Sequence, residues 1–129
     1  MVSQMRAQRI ADRIHEELSI ILLTEVSDPR VTGVSITKVK VDRELAYANI
    51  FVSSIEGSEA APTILDGLKH AKGFLRHSLT QRIQLRSFPK LRFHWDPIPE
   101  RADRIDKILN TLPDLDPQFQ SDDETNQDG

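Results

Sequence analysis

The sequence predicts a two-layer α+β domain in which three strands carry helices on one face. Apolar residues recur at three- and four-residue spacing over residues 5–25 and again over residues 60–83, as in amphipathic helices. Residues 33–41, 45–53 and 90–95 are rich in β-branched or aromatic side chains, as in strands. The predicted order is therefore α-β-β-α-α-β, followed by a short C-terminal helix and an acidic tail.

The first helix is predicted over residues 5–25. Its apolar face consists of Ile10, Ile14, Leu18, Ile21 and Leu22. Asp28-Pro29 ends it, because a proline disfavours helical backbone in the preceding residue. A second stripe on this helix is basic and consists of Arg6, Arg9 and Arg13. This stripe is interpreted either as a solvated polar face or as an accessory RNA contact.

Two strands, joined through residues 42–44, are predicted to form a hairpin. In the second strand the apolar residues alternate onto one face without interruption. In the first strand they change parity between Ile36 and Val39, which predicts a β-bulge near Thr37 and Lys38.

Two further helices are predicted on either side of Gly73, one from about residue 60 and one over residues 74–83. Glycine costs about 1 kcal/mol inside a helix, and Gly73 lies where the apolar stripe is taken to change direction. A kink or tight turn is therefore predicted at Ala71, Lys72 and Gly73.

The last strand is predicted over residues 90–95 and a short helix over residues 100–112. Residues 113–129 hold six acids and no base, a composition that predicts disorder. The predicted organisation is a domain over residues 1–112 and a disordered acidic tail over residues 113–129.

Composition excludes several classes of protein. The chain has no cysteine, which rules out disulfides and zinc-thiolate sites, and it has no apolar segment long enough for a signal peptide or a membrane span. No nucleotide-binding or hydrolase motif is present. His70 and His77 lie on either side of the predicted break, so they do not define a metal pair. We expect a cytoplasmic, monomeric, non-enzymatic protein without a cofactor or metal.

One basic stretch stands out in a chain that is acidic overall, with 17 Lys+Arg against 20 Asp+Glu. It runs from Lys69 to Arg92 and contains no acid. Such a one-sign segment is either a solvated helix face or a surface for a polyanion, and its length favours nucleic-acid contact. The candidate RNA-binding residues are Lys69, Lys72, Gly73, Arg76, Arg82, Arg86, Lys90 and Arg92.

The helix predicted over residues 74–83 suggests how the RNA contact would work. Its inward apolar residues are expected to leave Lys72, Arg76 and Arg82 pointing outward. Gly73 would allow a phosphate backbone to approach closely, and amides at a helix start favour anions. For Arg76, an intramolecular ion pair remains an equal alternative.

The predicted helix–kink–helix resembles the type II KH fold, an RNA-binding fold whose signature is a GxxG loop. This chain has Ala71-Lys72-Gly73 instead, an AxG that is typical of the ribosome-binding factor A family. The other matching segments are Asp28-Pro29-Arg30, Val39 through Asp42 to Ala46, Gly73-Phe74-x-Arg76-x-x-Leu79, Arg82, Leu85-Arg86 and Pro89-x-Leu91-x-Phe93-x-x-Asp96. The resemblance covers about residues 5–112.

The resemblance implies a non-catalytic bacterial factor that binds the free small (30S) ribosomal subunit and 16S rRNA, including its precursor, late in maturation. It also implies support of rRNA processing and cold adaptation, and an assembly GTPase that promotes release. Two alternatives stay open: a KH-like module with another RNA target, and an adaptor whose acidic tail recruits a basic partner.

Overall fold

In the computed structural model, which describes residues 3–99, two long helices pack against one face of a three-stranded sheet. The elements are α1 (Gln4–Thr24), β1 (Val34–Val41), β2 (Tyr47–Ser54), α2 (Ala61–Arg82) and β3 (Lys90–Trp95), with 3₁₀ turns at Pro29–Val31 and Ser58–Ala60. This order confirms the predicted α+β class and is consistent with a KH-like fold. The predicted last helix (100–112) and tail (113–129) lie outside the described residues.

The sheet has the order β1-β2-β3, with β1 and β2 antiparallel and β2 and β3 parallel. The register shifts between Ile36 and Lys38, which confirms the predicted bulge. Thr37 is the extra residue, and its hydroxyl lies 2.7 Å from a carboxylate oxygen of Asp96 and 3.2 Å from the carbonyl oxygen of Phe51. The bulge is therefore fixed by polar contacts with the neighbouring strand and with the chain just beyond β3.

The hairpin loop is longer than predicted, since β2 begins at Tyr47 and not at residue 45. The Tyr47 amide donates to a side-chain oxygen of Asp42 at 2.8 Å, and the Leu45 amide donates to the Asp42 carbonyl at 3.0 Å. Leu45 also has a φ of 56°, in the left-handed region. Aspartate commonly organises a turn in this way, and here the turn delays the start of the strand.

The hydrophobic core lies between the two helices and the inner face of the sheet. Its buried members are Ile10, Ala11, Ile14, Leu18, Ile21, Val31, Val39, Ala48, Ile50, Val52, Ile64, Leu68, Leu75, Leu79, Ile83, Phe88 and Leu91. All five apolar positions predicted for the first helix lie in this core or against it. The sequence periodicity therefore identified the buried face of α1.

The prediction of two helices separated at Gly73 is wrong, because α2 is a single helix of 22 residues. Its buried stripe passes from Leu68 to Leu75 through half-buried Ala71, at spacings of three and four residues that keep one helical face. Gly73 lies on the opposite, exposed side, where an added Cβ would meet nothing within 4 Å. The apolar stripe does not change direction, so the helix has no reason to break.

Candidate nucleic-acid interface

Four of the predicted RNA-binding residues form one stripe on α2: Lys69, Lys72, Gly73 and Arg76. Their spacing of i, i+3, i+4 and i+7 places them on a single helical face. Lys69, Gly73 and Arg76 are exposed, while Lys72 is half-buried. Within residues 3–99 neither lysine makes an ion pair. The two lysines of this α2 stripe are therefore cations without an ion-pair partner in that part of the chain, and Asp66, three residues before Lys69, pairs with Arg30.

Arg76 also has a structural role. Its Nη2 donates to the Phe88 carbonyl at 2.9 Å and its Nε to the Pro89 carbonyl at 3.4 Å. The guanidinium carbon lies 5.9 Å from the centre of the Phe88 ring. Within residues 3–99 Arg76 makes no ion pair. In place of the alternative of an intramolecular ion pair, its bonds to backbone carbonyls join α2 to the segment before β3.

Arg82 does not point freely outward as predicted. Its Nη1 lies 3.0 Å from Glu17 on α1, and its Nη2 donates to Glu25, just after that helix. Hydrogen bonds to the two carboxylates raise the pKa of Arg82 above its ordinary value. The signal was present in the sequence, because position 82 is seven residues after buried Leu75 and therefore on the inner stripe of α2. Arg82 links the two helices.

The remaining predicted residues are divided between a loop and the sheet. Arg86 is exposed between α2 and β3, and Lys90 and Arg92 are exposed on β3. Buried Leu91 marks the inner face of β3, so its neighbours on either side lie on the face away from the helices. The structure therefore does not bring all eight predicted residues together on one surface.

The accessory stripe on α1 is also divided. Arg13 makes an ion pair with Glu17 at 3.5 Å and donates to the Arg82 carbonyl at 3.3 Å. Arg6 and Arg9 are exposed and make no ion pair within the described part of the chain. Arg13 also takes part in the contact between the helices, and an RNA contact by Arg6, Arg9 and Arg13 stays a prediction.

The continuity of α2 also removes one part of the predicted site. Amides at a helix start are available to an anion only because they lack partners within the helix. Gly73 lies in the middle of α2, where backbone amides are bonded within the helix. The predicted anion site at a second helix start is therefore absent, and the stripe depends on its side chains.

Sequence reasoning missed a second polar surface, on the side of the sheet away from the helices. We call it the open sheet face, and its members are Lys38, Lys40, Tyr47, Asn49, Phe51, Lys90, Arg92 and His94. Strand alternation could have identified it, because inward Ala48, Ile50 and Val52 leave the odd-numbered residues of β2 outward.

Rings and cations contact each other on the open sheet face. The Arg92 guanidinium carbon lies 3.5 Å from the centre of the Tyr47 ring. The Lys38 ammonium nitrogen lies 4.6 Å from the centre of the Phe51 ring. The Phe51 and His94 rings stack with centres 5.0 Å apart and planes 29° apart. His94 Nε2 and the Asn49 side-chain oxygen are separated by 2.8 Å. These contacts order the rings across β2 and β3.

No set of three or more His, Asp or Glu side chains suited to a metal ion occurs among residues 3–99. His70 instead contacts the carbonyl oxygen of Asp66, with Nδ1 at 2.9 Å. No helix within residues 3–99 is long and apolar enough to cross a membrane.

The chain matches the family model described as ribosome-binding factor A over residues 6–109. Among curated relatives with that name, the protein of Alcanivorax borkumensis is 42% identical over 106 residues, covering 81% of this chain and 77% of the relative. The protein of Nitrosomonas europaea is 40% identical over 105 residues, covering 81% and 90%. The match therefore extends over most of both sequences.

Comparison with known structures shows a shared fold. The crystal structure of ribosome-binding factor A from Thermus thermophilus superposes with a TM-score of 0.62 at 19% identity, covering 69% of this chain and 93% of that one. A homology model of the Thermus thermophilus factor, fitted into a cryo-EM map of its complex with the 30S subunit, gives 0.54 at 22% identity, covering 64% and 87%. Together with the sequence match, the shared fold leads to one conclusion: this chain belongs to the ribosome-binding factor A family.

Proposed function

We propose that this protein is a cytoplasmic, non-catalytic assembly factor that binds the free small (30S) ribosomal subunit and 16S rRNA, including its precursor, during late maturation. Membership of the family supports the proposal, and so does the complex of the Thermus thermophilus factor with the 30S subunit. Support of rRNA processing and of growth in the cold, and release by an assembly GTPase, are further parts of the proposal.

The observation that carries the proposal is the α2 stripe. Lys69 and Lys72 are set on one helical face beside Arg76, and none of the three makes an ion pair within residues 3–99. Cations on one helical face can neutralise the phosphates of a folded RNA, which proteins recognise mostly by its shape and by phosphate and 2′-hydroxyl contacts. RNA contact by these residues therefore stays a proposal, with a defined surface. In this proposal the protein acts by binding RNA and not by catalysing a reaction.

The proposal is tested by co-sedimentation with separated small subunits, large subunits and joined ribosomes across a salt series. Selective and salt-sensitive binding to small subunits is expected. Equal binding to all three particles would favour a KH-like module with another RNA target. No binding at low salt would contradict the proposal.

The α2 stripe is tested with Lys72→Glu. We expect weaker binding to the small subunit and a salt slope reduced by about 0.7–0.9 for each phosphate that the variant no longer neutralises. Arg43→Glu is the matched control, because it changes the net charge equally at an exposed position in the hairpin loop. Equal loss of affinity in both variants would show an effect of net charge and would remove the stripe from the binding surface.

A further inference from the structure

The residues of the open sheet face form rows across the three strands. The register aligns Lys38, Phe51 and His94 in one row, and Lys40, Asn49 and Arg92 in the next. Tyr47 pairs with Lys90 beyond them. Neighbouring strands lie about 4.8 Å apart, so each ring is within reach of a cation on the adjacent strand.

The charged side chains that the three strands contribute to this face have one sign. Lys38, Lys40, Lys90 and Arg92 are its cations, and β1, β2 and β3 contain no Asp or Glu. Lys40, Lys90 and Arg92 are exposed. Asp42 and Asp96 follow the ends of β1 and β3, where the Tyr47 amide donates to Asp42 and the Thr37 hydroxyl donates to Asp96. The four cations lie on the strands between these ends and are complementary to a polyanion.

The rings distinguish this face from a generic basic patch. Tyr47 and Phe51 are half-buried and lie four residues apart on β2, a separation of about 13 Å along the strand. The Arg92 guanidinium lies over the face of the Tyr47 ring, and the His94 ring stacks with Phe51. Each aromatic ring is therefore joined by a second planar group. Nucleobases stack on aromatic rings and on guanidinium planes alike.

We propose that the open sheet face binds single-stranded RNA, with bases stacked at Tyr47 and Phe51 and phosphates held by Lys38, Lys40, Lys90 and Arg92. The inference rests on the proposed function for its partner, RNA, and adds a second binding surface to the α2 stripe. A protein partner fits less well, because lysine is depleted in protein interfaces, whereas three of the four cations here are lysines. The sheet separates this face from the helices, so the two surfaces contact different RNA segments.

The experiment measures binding of the full chain to a short fluorescent oligoadenylate by anisotropy over a salt series. In a variant with Tyr47→Leu and Phe51→Leu, we expect affinity about ten-fold lower with an unchanged salt slope, because stacking is lost and the charges remain. In a variant with Lys38→Gln and Arg92→Gln, the slope should fall by about 0.7 for each phosphate that is no longer neutralised. Phe74→Leu is the matched control, because it removes a ring that is 48% exposed on α2.

Each outcome decides the proposal. If the leucine variant proves unfolded in a thermal melt, the slope of the glutamine variant decides alone. Equal binding of oligoadenylate by all variants would contradict RNA binding at the open sheet face. It would leave the proposal of subunit binding through α2 intact. A wild-type chain that ignores the oligonucleotide, but loses subunit affinity through the leucine changes, would indicate a protein partner and also overturn the proposal. Failure to bind both oligonucleotide and subunit would remove the proposed function itself.

Discussion

At the scale of single residues, two glycines in α2 have opposite surroundings. An added Cβ at Gly67 would lie 2.9 Å from the Arg30 Cβ and 3.0 Å from a Val31 methyl carbon. At Gly73 it would meet nothing within 4 Å. Gly67 is thus required where the 3₁₀ turn Pro29–Val31 meets α2, whereas packing imposes no such demand at Gly73.

Gly67→Ala should therefore destabilise the protein by about 1–2 kcal/mol, because overpacking against a Cβ close to the backbone outweighs the higher helix propensity of alanine. Gly73→Ala is the matched control and should stabilise by about 0.5–1 kcal/mol. Chemical denaturation of both variants measures the two free energies of unfolding. A stabilised Gly67→Ala variant would contradict the close packing of the 3₁₀ turn on α2.

At the scale of elements, one short turn is held by a pair of charges. Asp28 accepts the Arg30 amide at 2.9 Å, and the Arg30 guanidinium bonds the same carboxylate, with Nη2 at 2.7 Å. Arg30 Nη1 also reaches Asp66 on α2 at 2.9 Å. Asp28 thus caps the turn and orients the arginine that joins it to α2.

This cap makes stability depend on pH. The Arg30 hydrogen bonds hold the pKa of Asp28 below its ordinary value of 3.8. A lowered pKa in the folded state means that the stabilisation is complete above pH 3.8 and is lost as the pH falls through the folded-state value. The difference in Tm between the wild type and Asp28→Asn should therefore be largest near neutral pH and shrink below about pH 4.

Arg30→Gln is the partner control for this measurement. It removes the largest cause of the lowered pKa of Asp28, so Asp28→Asn made in that background should show a smaller dependence on pH. A Tm difference that stays constant from neutral to acidic pH in the wild-type background would exclude the cap as the source.

At the scale of the whole molecule, basic residues serve two separate purposes. Arg82 joins the helices through Glu17, and Arg13 joins them by donating to the Arg82 carbonyl. Lys69, Lys72 and Arg86 make no ion pair within residues 3–99. Charges engaged by acids contribute little field to an approaching polyanion. The number of basic residues in the stretch therefore overstates the charge available for binding.

This division is tested by neutralising one residue of each kind. Arg82→Gln should lower the Tm and leave the salt slope of small-subunit binding unchanged, because the Arg82 guanidinium bonds Glu17 and Glu25 and not RNA. Arg86→Gln changes the net charge equally and should do the reverse, lowering the slope by about 0.7–0.9 with little effect on Tm. A reduced salt slope with Arg82→Gln would contradict this division and would indicate that Arg82 contacts RNA.

Features that depend on near neighbours in the chain could be predicted from the sequence. Periodicity identified the buried face of α1 and located the bulge at Thr37, because apolar positions at fixed spacing must share one face. The same rule, applied through Ala71 and Arg82, would have shown that α2 is continuous and that Arg82 lies on its inner stripe. Strand alternation would likewise have predicted that residues such as Tyr47 point away from the core.

Which distant residues meet depends on the packing of the elements. Glu17 and Arg82 are 65 positions apart, and no local pattern shows that packing α1 beside α2 joins them. The pairing of β3 with β2 likewise places Arg92 over Tyr47 and divides one basic stretch between two surfaces. Sequence spacing determines which residues share a face of an element, but only the packing of elements determines which charges are compensated and which remain available to RNA.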